Sequence, residues 1–416
     1  MTERSAVSSG VVDFEIRPIR EEEFVDYELA LETAFHGAAH LDEIEDFRRV
    51  AELDRCFAAL DGDEIVGGAD TNSFRMAVPG GVIPAAGITG VGVKPTHRRL
   101  GVNTALMRRQ LDDVHERGEP VAVLFASEGS IYGRYGYGLG TFGCDIDLET
   151  DRSEYVRGYT PSGRVHLLER AAALPPMRSV YDRVWPERPG MLELNERWFE
   201  HVTYEPEHER TERPCYYAVH TTGEVVDAYA IYRVKHEWPG GVPRNELELE
   251  DLQATTPQAY ADMWRYVLDA DLVHHVTSWN RPVDEPLLHL LREPRRLRLR
   301  VGDSLWVRLV DVPRALEGRR YASEGRLVIE VSDRFCPWNE GRYELVGAPE
   351  GAECRRTDAE ADLVCTTNDL GATYLGGSTF RQLHRAGQAG EERSGALARA
   401  DTMFASDPAP WSSHLF

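Results

Sequence analysis

Lysine is almost missing. Lys94 and Lys235 are the only two among 416 residues, so 45 of the 47 basic side chains are arginine. Arginine-rich coding fits a GC-rich genome, and scarce lysine beside 70 Asp and Glu also fits a cytoplasm of high salt; the two readings are compatible. Positive charge is short overall, with a formal net charge of −23 and a sequence pI near 5.1. Such a chain is repelled by nucleic-acid phosphates and by anionic membranes, which argues against both as partners and favours cationic amines. No apolar run reaches the roughly 18 residues that a membrane span requires. The opening MTERSAVSSGVVDF also lacks the apolar core of a signal peptide. Cysteine is sparse and scattered singly, at Cys56, Cys144, Cys215, Cys336, Cys354 and Cys365, with no C-x-x-C pair. That spacing excludes a disulfide framework or a zinc site and predicts a cytoplasmic chain with reduced thiols and no metal.

What is present is ordinary globular composition, 42% hydrophobic and 28% charged. The length suggests two or three domains. Breaks near 151–163 and 293–300 divide it into residues 1–150, 151–295 and 296–416. In the first part, FEIRP (14–18) alternates as a strand and the acidic EEEF opens a helix. Helical spacing runs through 43–60, and CFAALDGDEIVGG then reads as strand, turn, strand. AGITGVGV (86–93) is a strand, 101–117 a helix, and the apolar PVAVLFA (120–126) a buried strand. The second part has helices near 165–174, 190–200 and 257–270, with strands near 215–220, 225–235 and 246–252. The third is α+β, with the strands LVIEVSD and RYELV and helices near 368–375 and 378–385. The fold class is mixed α/β.

Chemistry concentrates in ITGVGVKPTHRRLGVNTALMRRQL (88–111). It is a strand, a short loop and a helix, with Arg98, Arg99, Gly101 and Asn103 at the junction. The first N–H groups of a helix have no intrahelical partner, and with the dipole they form a site for phosphate. Gly101 lets the backbone approach closely, and the two arginines supply charge for a diphosphate. The segment holds neither a Walker loop nor a G-x-G-x-x-G fingerprint. A solvated basic loop before an amphipathic helix is the plainer alternative.

The segment resembles the acetyl-CoA motif Q/R-x-x-G-x-G/A of the GCN5-related N-acetyltransferases, with Arg98, Gly101 and Asn103 in the three places and Asn103 a departure. ASEGSIYGRYGYG (126–138), V-x-V-x-P-T-H-R-R (91–99), LWVRLVDVPRALEGRRYA (305–322) and the tail MFASDPAPWSSHLF together resemble the enhanced intracellular survival (Eis) family. The resemblance implies tandem acetyltransferase units, the second degenerate, each a mixed sheet flanked by helices. It also implies a C-terminal sterol-carrier-like unit, and a homo-oligomer, a hexamer. It gives Val91 and Val93 backbone contacts to pantetheine, Arg98, Arg99 and Gly101 the pyrophosphate, and Ser127 a place beside the cofactor. Tyr132 falls on the general acid, and the Phe416 carboxylate falls on the base.

Phe35 and His36 in LETAFHG are candidates for lining the pocket of a primary-amine substrate, with core packing the alternative for Phe35. Ser127 alternatively caps a helix starting at Glu128, and Tyr132 is otherwise a packing residue among glycines. The resemblance implies an aminoglycoside-like or polyamine-like cation as substrate. Leu415, preceded by His414, stands where drug-modifying members often carry an acid, which weighs against aminoglycosides. Two other functions remain open: a lipid carrier with a vestigial acetyltransferase, and acetylation of protein lysines.

Overall fold

The computed structural model describes residues 14–156 and 158–416, and the polar amino-terminal tail lies outside them. The chain forms two compact units, one of residues 14–72 and 88–113, the other of 73–87 and 114–416. Strands β3 (Glu64–Val78) and β4 (Gly81–Val93) have residues in both.

In the first unit, β1 (Glu15–Pro18) pairs antiparallel with β2 (Cys56–Asp61), which pairs with β3 across the turn at Gly62, where φ is +61°. Cys56, Ala58 and Leu60 pack on one face of β2 with Phe24, Tyr27 and Leu31 of the helix Phe24–Phe35. Phe57 and Ala59 pack on the other with Val102 and Leu106 of the helix Val102–Glu116. Residues 56–60 carry two readings in the sequence, helical spacing continued from residue 43 and the strand CFAAL, and burial on both faces of the strand is why its pattern admits the first. The helix ends at Arg48 and Cys56–Asp61 is a strand. A doubly buried strand shows a continuous apolar run rather than alternation.

The second unit carries the remaining strands. They are β5 (Val121–Phe125), β6 (Gly138–Leu139), β7 (Phe142–Glu149), β8 (Arg164–Leu168), β9 (Tyr216–Thr222), β10 (Val225–Lys235) and β11 (Asn245–Ala254). After these come β12 (Val273–Pro282), β13 (Leu297–Asp303), β14 (Leu305–Leu309), β15 (Gly325–Ser332), β16 (Gly341–Ala348), β17 (Gly351–Arg356), β18 (Leu363–Thr366) and β19 (Gly390–Glu391). β5 runs parallel to β4 for three pairs, Ala85↔Val121 to Gly87↔Val123, and its other edge pairs antiparallel with all of β14. A seven-stranded sheet follows in the order β13-β7-β12-β11-β10-β9-β8, and a five-stranded one in the order β17-β16-β15-β18-β19. The helix Pro257–Leu268 buries Met263, Trp264 and Val267 against the seven-stranded sheet, with Leu247, Leu249 and Val276 in the same core.

The sheets exchange strands across the sequence boundaries. β7, inside 1–150 by sequence, is hydrogen-bonded between β12 and β13. β13 and β14, inside 296–416 by sequence, pair with β7 and β5 respectively. The expected helix at 165–174 is the strand β8 followed by the helix Arg170–Val184, which accommodates Pro175 and Pro176. Residues 190–195 precede the next helix, Glu196–Val202, where the Asn195 side chain accepts from the Trp198 N–H at 3.0 Å.

Candidate active site

In the first unit, β4 ends in the loop Lys94–Gly101, from which the helix Val102–Glu116 departs. The Gly101 carbonyl accepts from Ala105 N at 3.0 Å, which opens the intrahelical ladder of this helix at the loop. Gly101 has φ of +93°, and nothing lies within 4 Å of where its Cβ would be. Asn103, in that first turn, keeps a buried Oδ1 without a hydrogen-bond partner. An open glycine at the start of a helix suits the close approach of a diphosphate, whereas the orphaned Asn103 Oδ1, an acceptor, calls for a hydroxyl or amide donor rather than a phosphate oxygen.

Arg98 is less available than the sequence suggests. Its Nε donates to the Val93 carbonyl at 3.3 Å and its Nη2 to the Ala34 carbonyl at 2.6 Å, so it ties the loop to the strand and helix before it. Arg99 is exposed and takes the left-handed conformation, φ +65°. Val91 and Val93 are half-buried. Phe35 is 49% exposed, which removes the core-packing alternative, and its ring edge overlies Gly92. His36 is exposed and left-handed at the helix end.

The sequence reading missed the acids of this unit. Asp70 on β3 is buried and accepts from the Tyr27 hydroxyl at 2.8 Å. Burial pushes its carboxyl up, and burial together with Asp70 raises that of Glu28.

In the second unit, Ser127 does not cap the short helix Gly129–Tyr132; Glu128 holds the cap position, without a side-chain bond. The Ser127 hydroxyl is instead a polar neighbour of the Tyr132 phenol. Burial pushes the Tyr132 phenol up to about 12, with the Ser127 hydroxyl acting in the opposite sense. The ring of Tyr132 meets Tyr137 edge-on at 6.0 Å. The turn that follows is pinned by Asn368, whose Nδ2 donates to the Gly133 carbonyl at 2.6 Å and the Tyr137 carbonyl at 2.8 Å. No local signal links Asn368 to residues 235 positions away.

Phe416 is seated where the β4–β5 ladder ends. Its ring lies 5.2 Å from Phe74 of β3 and 5.5 Å from Phe125 of β5. A Cβ on Gly87, the last β4 residue of the ladder, would stand 2.9 Å from Phe416 Cε2. The tail before it is tied down: Trp411 Nε1 donates to the Asn280 carbonyl at 2.7 Å and Asn280 Nδ2 to the Ser412 carbonyl at 2.9 Å. His414 sits against Tyr181 and 3.5 Å from Asp251 Oδ2, and Leu415 is exposed.

Comparison with known proteins agrees with this arrangement. Residues 15–140 and 190–309 each match an acetyltransferase (GNAT) domain, and 312–413 match a sterol carrier protein domain. The N-acetyltransferase Eis of Mycobacterium bovis is 34% identical over 360 residues, 83% of this chain and 84% of that protein. The chain belongs to the Eis family of GCN5-related N-acetyltransferases. An uncharacterized N-acetyltransferase of Streptomyces avermitilis is 44% identical over 97% of this chain and 99% of its own. The crystal structure of Eis1 from Mycobacterium abscessus superposes with a TM-score of 0.85 at 32% identity, covering 97% of this chain and all of that one. This Eis-family member is therefore an N-acetyltransferase that uses acetyl-CoA, built from two GNAT domains and a C-terminal sterol-carrier-like domain. Among the described residues, no helix is long and apolar enough to cross a membrane, and the six cysteines are free.

Proposed function

We propose that this enzyme acetylates a primary amine of a small cation by direct attack on the thioester, with Tyr132 as general acid and the terminal carboxylate of Phe416 as base. The observation that carries the reading is the seating of Phe416 at the end of the β4–β5 ladder, among Phe74, Gly87 and Phe125. An ammonium substrate loses a proton before its nitrogen can attack. An α-carboxylate, with an ordinary pKa of about 3.3–3.7, is always ionised but weakly basic, so it acts by position, directly or through one water. As the new C–N bond forms and the C–S bond breaks, the phenol of Tyr132 gives its proton to the leaving sulfur. The carboxylate holds the proton taken from the amine. Burial keeps Tyr132 protonated for that task.

The backbone of Val91 and Val93 is assigned to the pantetheine, as an added strand would pair. Arg99, Gly101 and Asn103 take the pyrophosphate end, with Arg98 shaping the loop, and Ser127 lies beside the thioester and orients Tyr132. Phe35 and His36 line the amine pocket. Leu415, exposed where an acid would strengthen the hold on a polycation, favours polyamine-like over aminoglycoside-like substrates. The catalytic domain is taken as roughly residues 1–150, followed by 151–295 and 296–416, in a cytoplasmic homo-oligomer, a hexamer by family resemblance. A thiol-release screen with acetyl-CoA over diamines, polyamines, aminoglycosides and lysine peptides tests the reading. Release with the small amines supports it. Release only with peptides favours a protein lysine acetyltransferase, and silence across the whole panel counts against the activity.

A further inference from the structure

The second GNAT domain repeats the strand–helix–strand arrangement of an acetyltransferase but closes its cofactor edge. β11 and β12 are parallel and joined by the helix Pro257–Leu268, and their ladder stops at Leu249↔Ser278. Past that point Arg281 fills the gap. It donates to the Leu252 carbonyl at 3.2 Å, to the Tyr260 hydroxyl at 3.2 Å and to Glu285 at 3.3 Å, and the Trp411 ring lies 5.4 Å from its guanidinium. A bare Thr255–Thr256 turn stands where the first domain has its R-x-x-G loop. The edge a pantetheine amide would use is thus taken by the protein's own side chain.

A cavity of about 550 Å³ remains beside the plug, within the range of roughly 300–1,000 Å³ common to small-molecule sites. Leu252, Tyr260, Pro286, Leu290 and Trp411 give it apolar walls. In a chain of net charge −23, the charged residues lining it are Arg183, Arg188 and Arg281 against Glu187 alone. Two of the arginines are neutralised, Arg281 by Glu285 and Arg188 by Asp284 at 2.8 Å, which leaves Arg183 and Glu187 as the opposed charges of the lining. Arg183 donates to the Ser179 carbonyl at 2.9 Å and to the Val226 carbonyl, and has no carboxylate partner among the described residues. The 12-residue helix Pro257–Leu268 begins at the same cavity, so the positive end of its dipole adds to Arg183.

We propose that this cavity binds a small apolar molecule carrying one anionic group, its body against Tyr260 and Trp411 and its charge toward Arg183 and the start of the helix. The site is separate from the proposed chemistry at Tyr132 and does not depend on it.

The test uses the full-length protein with saturating acetyl-CoA, titrated with the fluorescent anion anilinonaphthalene sulfonate and with its uncharged relative N-phenylnaphthylamine. The expected result is a single site for each probe. Arg183→Ala, at an exposed position, should weaken the sulfonate about two- to fivefold and leave the neutral probe unchanged. Ala254→Trp, which fills the cavity, should abolish both. Binding that neither substitution changes overturns the site, as does a probe that acetyl-CoA displaces. An equal effect of Arg183→Ala on both probes overturns the anionic specificity, and because Arg183 is exposed that result does not hinge on whether Ala254→Trp folds.

Discussion

Tyr132 is nearly fully buried, and burial does to it what the proposed chemistry needs: the phenol keeps its proton up to about pH 12. Tyr132→Phe should lower kcat by about 10²–10⁴-fold while acetyl-CoA affinity stays within about twofold, measured by thiol release and calorimetry. Loss of this donor occurs above its folded pKa, so the wild-type rate should show no descending limb from Tyr132 below about pH 11. A limb near pH 9–10 that vanishes in Tyr132→Phe would contradict this. Gly87 makes a different kind of contribution. A Cβ there would meet Phe74 Cε2 at 2.6 Å and Phe416 Cε2 at 2.9 Å. Gly87→Ala should therefore displace the terminal ring, cost about 1–3 kcal/mol as overpacking does, and lower turnover more than it raises KM for acetyl-CoA. A thermal melt with steady-state kinetics checks both. Arg98, Gly101 and Tyr132 are nominated by the sequence because they stand in local motifs, though the motif does not foretell that Arg98 is turned to the Val93 and Ala34 carbonyls. Phe74, Asn368 and Asp70 are not nominated, since only the fold brings them to their partners.

At the scale of elements, the carboxy-terminal tail is held by Asn280 of β12, Asp251 of β11 and Tyr181 on the way to Phe416. His414, two residues before the end, has its pKa lowered by burial, with Asp251 at 3.5 Å pulling the other way and Tyr181 alongside. A histidine depressed in the folded state takes up its proton first when unfolded. The stability it supports is complete above its ordinary pKa of about 6.5 and is lost as pH falls below that. Tm and turnover should decline together from about pH 7 to pH 5, and His414→Gln should flatten both declines; an unchanged profile in that variant refutes the role. The same scale shows why elements were misread. CFAAL, buried on both faces, carries helical spacing as well as the strand the sequence reads there, and a helix with Pro175 and Pro176 breaks the pattern that announces helices. The exchange of β7 and β14 between sheets is a matter of pairing over long separations, which periodicity does not carry.

Over the whole molecule, the net charge of −23 acts on stability and on substrate capture. Self-repulsion of such a chain is screened over about 10 Å at 0.1 M salt and about 3 Å at 1 M. Tm should rise across that range, while kcat/KM for a dicationic amine should fall as attraction is screened. Thermal melts and kinetics on one salt series separate the two, and a salt-independent Tm would show that the acidity carries no folding cost. Motifs in the first and third parts of the sequence carry the family resemblance, and that resemblance, not a motif of its own, is what announced the second GNAT domain. It did not reveal that the second domain fills its cofactor edge with Arg281, which only the endpoint of the β11–β12 ladder makes visible.

The most direct test of the central claim is single-turnover acetyl transfer to a diamine by the chain lacking Phe416. With acetyl-CoA binding intact, the rate should fall by about 10²-fold or more. A full rate from the shortened chain would contradict the assignment of the terminal carboxylate as base.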